Sequence, residues 1–140
     1  MNLGMPKIEN ILAAVFDTHI WLWSVAGDRR AKAIEGFSGT ALIPAIATWE
    51  VSMLHMKGRI DLLPDIETWM DENLASPATL EPLTPEIARI SCQLPDFHGD
   101  PADRLIVATA VVRGVPLVTA DEKIIAWNLR HKTLQIVDPC

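Results

Sequence analysis

The sequence predicts a single α/β domain with a mostly parallel central sheet of four to five strands and helices on both faces. Three observations carry that expectation. Short continuous apolar runs of strand length alternate with helical patterns along nearly the whole chain. Glycines and prolines fall between these segments, where turns and helix ends need them. The chain's 140 residues, 49% of them hydrophobic, suffice for one proper core and are too few for two comfortable ones.

Taken in order, residues 1–10 show no periodicity and receive no role, which leaves 11–140 as the domain. Ile11 to Phe16 is an unbroken apolar run, as expected of a central parallel strand covered on both faces, and it ends on Asp17. Thr18 to Trp23 begins a helix, and Gly27-Asp28 separates it from a second helical piece over Arg29 to Glu35. Thr40 to Ile43 is the next strand. Pro44 suits the first turn of the helix after it, which runs to about Lys57 and is stopped by Gly58. Pro64-Asp65 starts an amphipathic helix with Ile66, Trp69, Met70 and Leu74 on one stripe. A short strand at Thr79 to Glu81 precedes Thr84-Pro85-Glu86, which gives an N-cap, a first-turn proline and a helix to about Leu94. Asp100-Pro101-Ala102-Asp103 opens a helix that is apolar on every side and therefore buried, and Gly114 ends it. Val115 to Val118 reads as a strand, Glu122 to Leu129 as a helix, and Thr133 to Val137 as a final edge strand.

Composition excludes several classes. No apolar run has the length of a membrane span, so no membrane role and a cytoplasmic location are expected. Two cysteines, Cys92 and Cys140, are too few for a disulfide framework or a thiolate metal cage. The formal charge of −6 speaks naively against nucleic acid. That objection weakens if carboxylates gather around divalent cations while Arg29, Arg30, Lys32, Lys57, Arg59, Arg104, Lys123, Arg130 and Lys132 stay free to meet phosphates.

Four acids stand out. In open parallel sheets ligands bind beyond the carboxyl ends of the strands, and Asp17 and Asp121 fall at that edge. Crossover geometry can bring Asp103 and Glu50 to the same place. Glu50 shares a helix face with Ile46, Ala47, Met53 and Leu54, so a carboxylate interrupts an apolar stripe and needs a partner or a proton. Each of the other three also has a plain structural explanation as a helix cap or first-turn acid. Together they are harder to explain away, because two carboxylates about 5 Å apart repel by roughly 3 kcal/mol at an effective dielectric of 20. All-oxygen donors of this kind suit Mg²⁺ or Mn²⁺, which can activate water and stabilise charge on a phosphate.

The segments Phe16-Asp17-Thr18-His19, Thr48-Trp49-Glu50-Val51, Asp100 to Ala108 and Leu117 to Asp121 resemble, in order and spacing, those of PIN-domain ribonucleases. The resemblance is greatest to the VapC-type toxins of bacterial toxin–antitoxin pairs, and it covers Val15 to Thr133. It implies a Mg²⁺-dependent endoribonuclease whose catalytic and metal-binding acids correspond here to Asp17, Glu50, Asp103 and Asp121. It also implies 5′-phosphate and 3′-hydroxyl products, an RNA substrate, a cognate antitoxin and a homodimer. Asp100 is left between helix cap and supporting ligand, and Thr18 or Thr119 could orient a carboxylate. Trp69-Met70 and Trp21-Trp23 are candidate contact surfaces, whereas Trp49 is expected in core packing or a protein interface. His19, His55, His98 and His131 lack metal-ligand spacing and read as surface or core-edge residues. The competing functions are a non-catalytic PIN-like interaction module and an aspartyl-phosphate phosphatase. The latter wants a second Asp two residues after Asp17, where His19 stands.

Overall fold

The computed structural model of the chain describes residues 7–140. Five strands form one sheet in the order β3-β2-β1-β4-β5, and every neighbouring pair is parallel. They are β1 (Ala13–Phe16), β2 (Thr40–Pro44), β3 (Ala78–Glu81), β4 (Leu117–Val118) and β5 (Ile136–Val137). Six α-helices accompany them: α1 (Thr18–Ala26), α2 (Ala45–Met56), α3 (Ile66–Asn73), α4 (Pro85–Gln93), α5 (Pro101–Arg113) and α6 (Glu122–His131). Short 3₁₀ segments occupy Ile8–Asn10 and Arg29–Ile34.

The period-two alternation of a pleated strand sorts side chains between two cores. Ala14, Phe16, Ala41, Ile43 and Val118 face α1 and α3, together with Ile20, Trp21 and Trp69. Val15, Leu42 and Leu117 face the other way, toward Ile106, Val107 and Ala110 of α5 and Ile124 and Trp127 of α6. Both faces are therefore apolar, which is why β1 and β2 read as continuous hydrophobic runs. Gly39 sits where β2 meets the segment before β1. A Cβ there would lie 2.4 Å from the Leu12 carbonyl oxygen and 2.6 Å from that of Ile11, so only glycine lets the two backbones approach.

Several elements differ from expectation for identifiable reasons. Pro44 closes β2, paired with Glu81, and caps α2 from outside its first turn. Of the strand expected over residues 115–118 only the last two residues pair, because the Val115 N–H is used by the Ala110 carbonyl at the end of α5. The final strand shrinks to two residues because the Thr133 and Leu134 N–H groups donate to the Asn128 side-chain oxygen. Helix α6 runs on to His131 and stops at Lys132, whose φ is +49°. Of residues 1–10, the first six lie outside the described residues, and Ile8 packs against the first core.

Candidate active site

Strand order reverses direction between β1 and β4: the chain moves outward through β2 and β3 on one side and through β5 on the other. A crevice opens at such a switch point, beyond the carboxyl ends of the strands. Asp17 follows β1 directly and Asp121 stands three residues beyond β4, so the two acids flank it. Helix α5 runs back across the sheet to feed β4 at its opposite, amino end, which leaves its first turn, with Asp103, on the side of Asp121, whose charge it feels. Glu50 lies in the second turn of α2, which leaves the edge from β2.

Two threonines tie these acids together. Thr119, fully buried, donates its hydroxyl proton to Asp17 Oδ2 and accepts the Asp121 N–H at 3.0 Å. Thr18 donates to Glu50 Oε1. Asp17 Oδ1 accepts the Ile20 N–H and so caps α1, while Asp121 Oδ1 accepts the N–H groups of Lys123 and Ile124 and caps α6. Asp100 is the N-cap of α5, its Oδ1 accepting the Asp103 N–H. Three of the five acids at this edge are thus genuine helix caps. Their capping bonds use one oxygen each, and Asp121 Oδ2 is left for other work.

Charge is concentrated here with no lysine or arginine paired to it among the described residues. Asp17 is held above the ordinary carboxyl range chiefly by burial, against the opposing Thr119 hydrogen bond, with the Asp121 charge adding to the rise. Glu50 is raised by desolvation and then by Asp103 and Asp100, again against a threonine bond. Asp103 is raised by desolvation, with Asp100 and Asp121 adding to it. The four acids therefore sit in one another's field. Among the ion pairs of the described residues, none joins a lysine or arginine to any of them.

The one cationic candidate in contact is His98, whose Nε2 lies 2.7 Å from Asp103 Oδ2. Spacing along the sequence gave no reason to single it out. It is brought there by Arg104, which donates to the carbonyl oxygens of Ser91 and Phe97 and so folds the 94–100 loop back over α5. His98 then stacks on Phe97, their ring centres 4.2 Å apart. Arg104 is consequently not free to meet phosphate, contrary to expectation. Nor is Arg30, which forms a bidentate pair with Asp28 and lies over the Trp23 ring. Trp21 and Trp69 are buried against each other at 4.9 Å, which fits core packing and not the contact surfaces expected at Trp21-Trp23 and Trp69-Met70, while Trp49 is exposed and so lies outside the core.

The donor set fits a hard divalent cation: oxygen ligands only, three carboxyls destabilised as anions, and one free oxygen on Asp121. Among the described residues no group of three or more His, Cys, Asp or Glu side chains stands close enough together to hold a metal ion. A pH dependence follows. Asp17, Glu50 and Asp103 have folded pKa values above their unfolded ones of 3.8, 4.5 and 3.8, so folding takes up protons and stability falls as pH rises through that window. Asp28 and Asp65 are lowered and act with the opposite sign, but below 3.8. In chelator, the thermal midpoint is expected to rise on acidification from neutral pH toward the ordinary carboxyl range, and saturating Mg²⁺ is expected to reverse the slope. A midpoint in chelator that falls steadily over that range contradicts this reading of the cluster.

Comparison with known proteins agrees with this architecture. Residues 14–127 match the PIN domain. Over 116 residues the chain is 35% identical to Ribonuclease VapC22 of Mycobacterium tuberculosis, spanning 79% of this chain and 88% of that protein. Among solved structures, a toxin–antitoxin complex from Klebsiella pneumoniae superposes with a TM-score of 0.67 at 25% identity, covering 91% of this chain and 98% of that one. DNA-bound VapBC from Salmonella typhimurium shares the fold at 20% identity and a TM-score of 0.60, covering 93% and 100%. With the matched segment running from β1 into α6 and containing all four acids, the chain belongs to the PIN-domain family.

Proposed function

We propose that this chain is a divalent-metal-dependent endoribonuclease and the toxin of a toxin–antitoxin pair. The observation that carries the reading is the set Asp17, Glu50, Asp103 and Asp121, gathered at the sheet's switch point, three of them destabilised as anions and none paired with a lysine or arginine among the described residues. A relative named as a ribonuclease, 35% identical over most of the chain, supports the choice of substrate. These four residues would hold Mg²⁺ or Mn²⁺, and a bound cation supplies Lewis acidity toward a phosphodiester together with compensation of the cluster's charge.

The chain's own groups prepare the site. Thr119 and Thr18 fix the rotamers of Asp17 and Glu50 by donating to Asp17 Oδ2 and Glu50 Oε1. His98 fixes Asp103 in the same manner. The helix ends behind Asp17 and Asp121 offer partial positive charge that favours anions at the crevice. By family resemblance, the products carry 5′-phosphate and 3′-hydroxyl ends, and the chain acts as a homodimer.

For the antitoxin, the supporting feature is an open hollow of about 780 Å³ beside His19, walled by Leu22, Trp23, Leu54, Leu62 and Leu63 over a floor of Trp69. Its lining, these apolar residues together with Arg30, Arg59, Asp61 and Glu72, suits an amphipathic protein segment. The neighbours solved as toxin–antitoxin complexes agree with such a partner. No helix among the described residues is long and apolar enough to cross a membrane, and the free exposed cysteines Cys92 and Cys140 suit the reducing cytoplasm we assign to it.

The test is cleavage of single-stranded RNA by the purified protein. Internal cuts are expected in Mg²⁺ or Mn²⁺ and none in excess chelator. Equal cutting under both conditions, or by Asp17→Asn and wild type alike, removes the assignment.

A further inference from the structure

Glu50 has a neighbour that the proposed chemistry does not use. Trp49 is 57% exposed, although the helix carrying it is otherwise apolar on its inner side. It lines a separate hollow of about 430 Å³ with Ile46, Pro101 and Ala102, and the two remaining walls are Glu50 and Asp100. One side of this hollow is therefore an aromatic and aliphatic shelf, and the other is the edge of the acid cluster. Its volume lies within the ~300–1,000 Å³ of small-ligand clefts.

We propose that Trp49 is a stacking platform for a base of the RNA, holding the nucleotide next to the scissile phosphate. The inference rests on the ribonuclease reading and adds a substrate-binding residue to it. Three observations favour a nucleobase as occupant. The hollow is continuous with the acid cluster through Glu50, so a phosphate at the acids puts an adjoining base within reach of the Trp49 ring. The chain carries a formal charge of −6, and Arg104, in the same first turn of α5 as Pro101 and Ala102, is already engaged with the carbonyl oxygens of Ser91 and Phe97. Phosphate contacts, which ordinarily supply much of the affinity for nucleic acid, are thus short in this part of the surface. Stacking on an aromatic face supplies affinity without cations, tolerates any base, and is the usual device for single-stranded RNA. The broader groove around Leu22 and Leu63 is the better match for a protein segment, and it is a separate place, between α1 and the end of α2, whereas the Trp49 hollow lies between α2 and the start of α5.

Stacking depends on the base and on an aromatic ring, which separates it from a structural effect on Glu50. Binding is measured by fluorescence anisotropy of labelled 12-mers in Mg²⁺, in the non-cutting Asp121→Asn background. The probes are oligo(A) and an abasic ribose-phosphate chain of equal length, against Trp49, Trp49→Ala and Trp49→Phe. The expected result is a loss of at least about fivefold on oligo(A) for Trp49→Ala, no change on the abasic chain, and recovery of most of the loss by Trp49→Phe. In the cutting background, Trp49→Ala is expected to raise KM more than it lowers kcat. Unchanged binding of oligo(A) by Trp49→Ala overturns the inference, as does an equal loss on both probes. If Trp49→Ala instead turns a dimer into a monomer with base-dependent binding intact, the residue is a self-association contact and the inference fails. Absence of RNA cleavage by wild type in any divalent metal defeats the ribonuclease reading itself, a result distinct from all of these.

Discussion

Asp121→Asn is expected to fold as well as wild type and to cut RNA at least about 100-fold more slowly, a loss of roughly 2.7 kcal/mol or more of transition-state stabilisation. The pairing of those two outcomes matters because Asp121 has two employments. Its Oδ1 caps α6 by accepting from Lys123 and Ile124, and its Oδ2 has no hydrogen-bond partner among the described residues. Asparagine is as good a cap as aspartate, so the amide oxygen can replace Oδ1 within a few tenths of a kcal/mol. What asparagine does not replace is the charge. If capping were the whole role, Asp121→Asn would be silent and Asp121→Ala would cost about 1 kcal/mol. Paired measurements of thermal midpoint and cleavage rate on both variants separate the two. A silent Asp121→Asn leaves the acid a cap and nothing more.

Glu50→Gln is expected to change the sign of its effect with the medium. Glu50 is not a cap, it is partly desolvated, and the charges of Asp103 and Asp100 work against its ionisation. In chelator, replacing it by a neutral isostere removes that repulsion while a side-chain oxygen remains to accept from Thr18, so the variant is expected to match or exceed wild type in stability. In Mn²⁺ the order is expected to invert, because a ligand that binds only the folded state stabilises it by mass action and the variant has lost an anionic donor. Lower stability of Glu50→Gln in chelator means that the carboxylate is retained for packing or hydrogen bonding, which contradicts the repulsion argument.

How far the sequence reaches is best seen at particular residues. β1 and β2 are legible because both faces of each strand are buried, which leaves an unbroken apolar run that nothing else explains. Gly27 and Gly114 mark the ends of α1 and α5, and each adopts the positive φ that a left-handed helix end requires. The acids are legible because carboxylates at helix mouths and on an apolar face are individually tolerable and collectively costly. Other features depend on approach between distant segments. Thr119 reaches Asp17 across 102 positions, and only the β1–β4 pairing makes them neighbours. His98 meets Asp103 because Arg104 bonds two loop carbonyls, a bond that neither composition nor periodicity encodes. A helix stripe tells which residues share a face but not which edge of that face ends at the surface, so Trp49 emerges into solvent while Trp21 and Trp69 close over each other.

The central claim is that four side chains from the β1–α1 junction, α2, α5 and the β4–α6 connection form one pocket whose repulsion a divalent cation relieves. Titration of the metal-free protein with Mn²⁺, followed by calorimetry and by thermal unfolding, addresses it most directly. Saturable binding is predicted, with stabilisation of about 2.7 kcal/mol at a hundredfold excess over Kd, or roughly 5 to 10 °C in midpoint for a domain of this size, and with both signals abolished in Glu50→Gln. No heat of binding and an unmoved midpoint in wild type would contradict it.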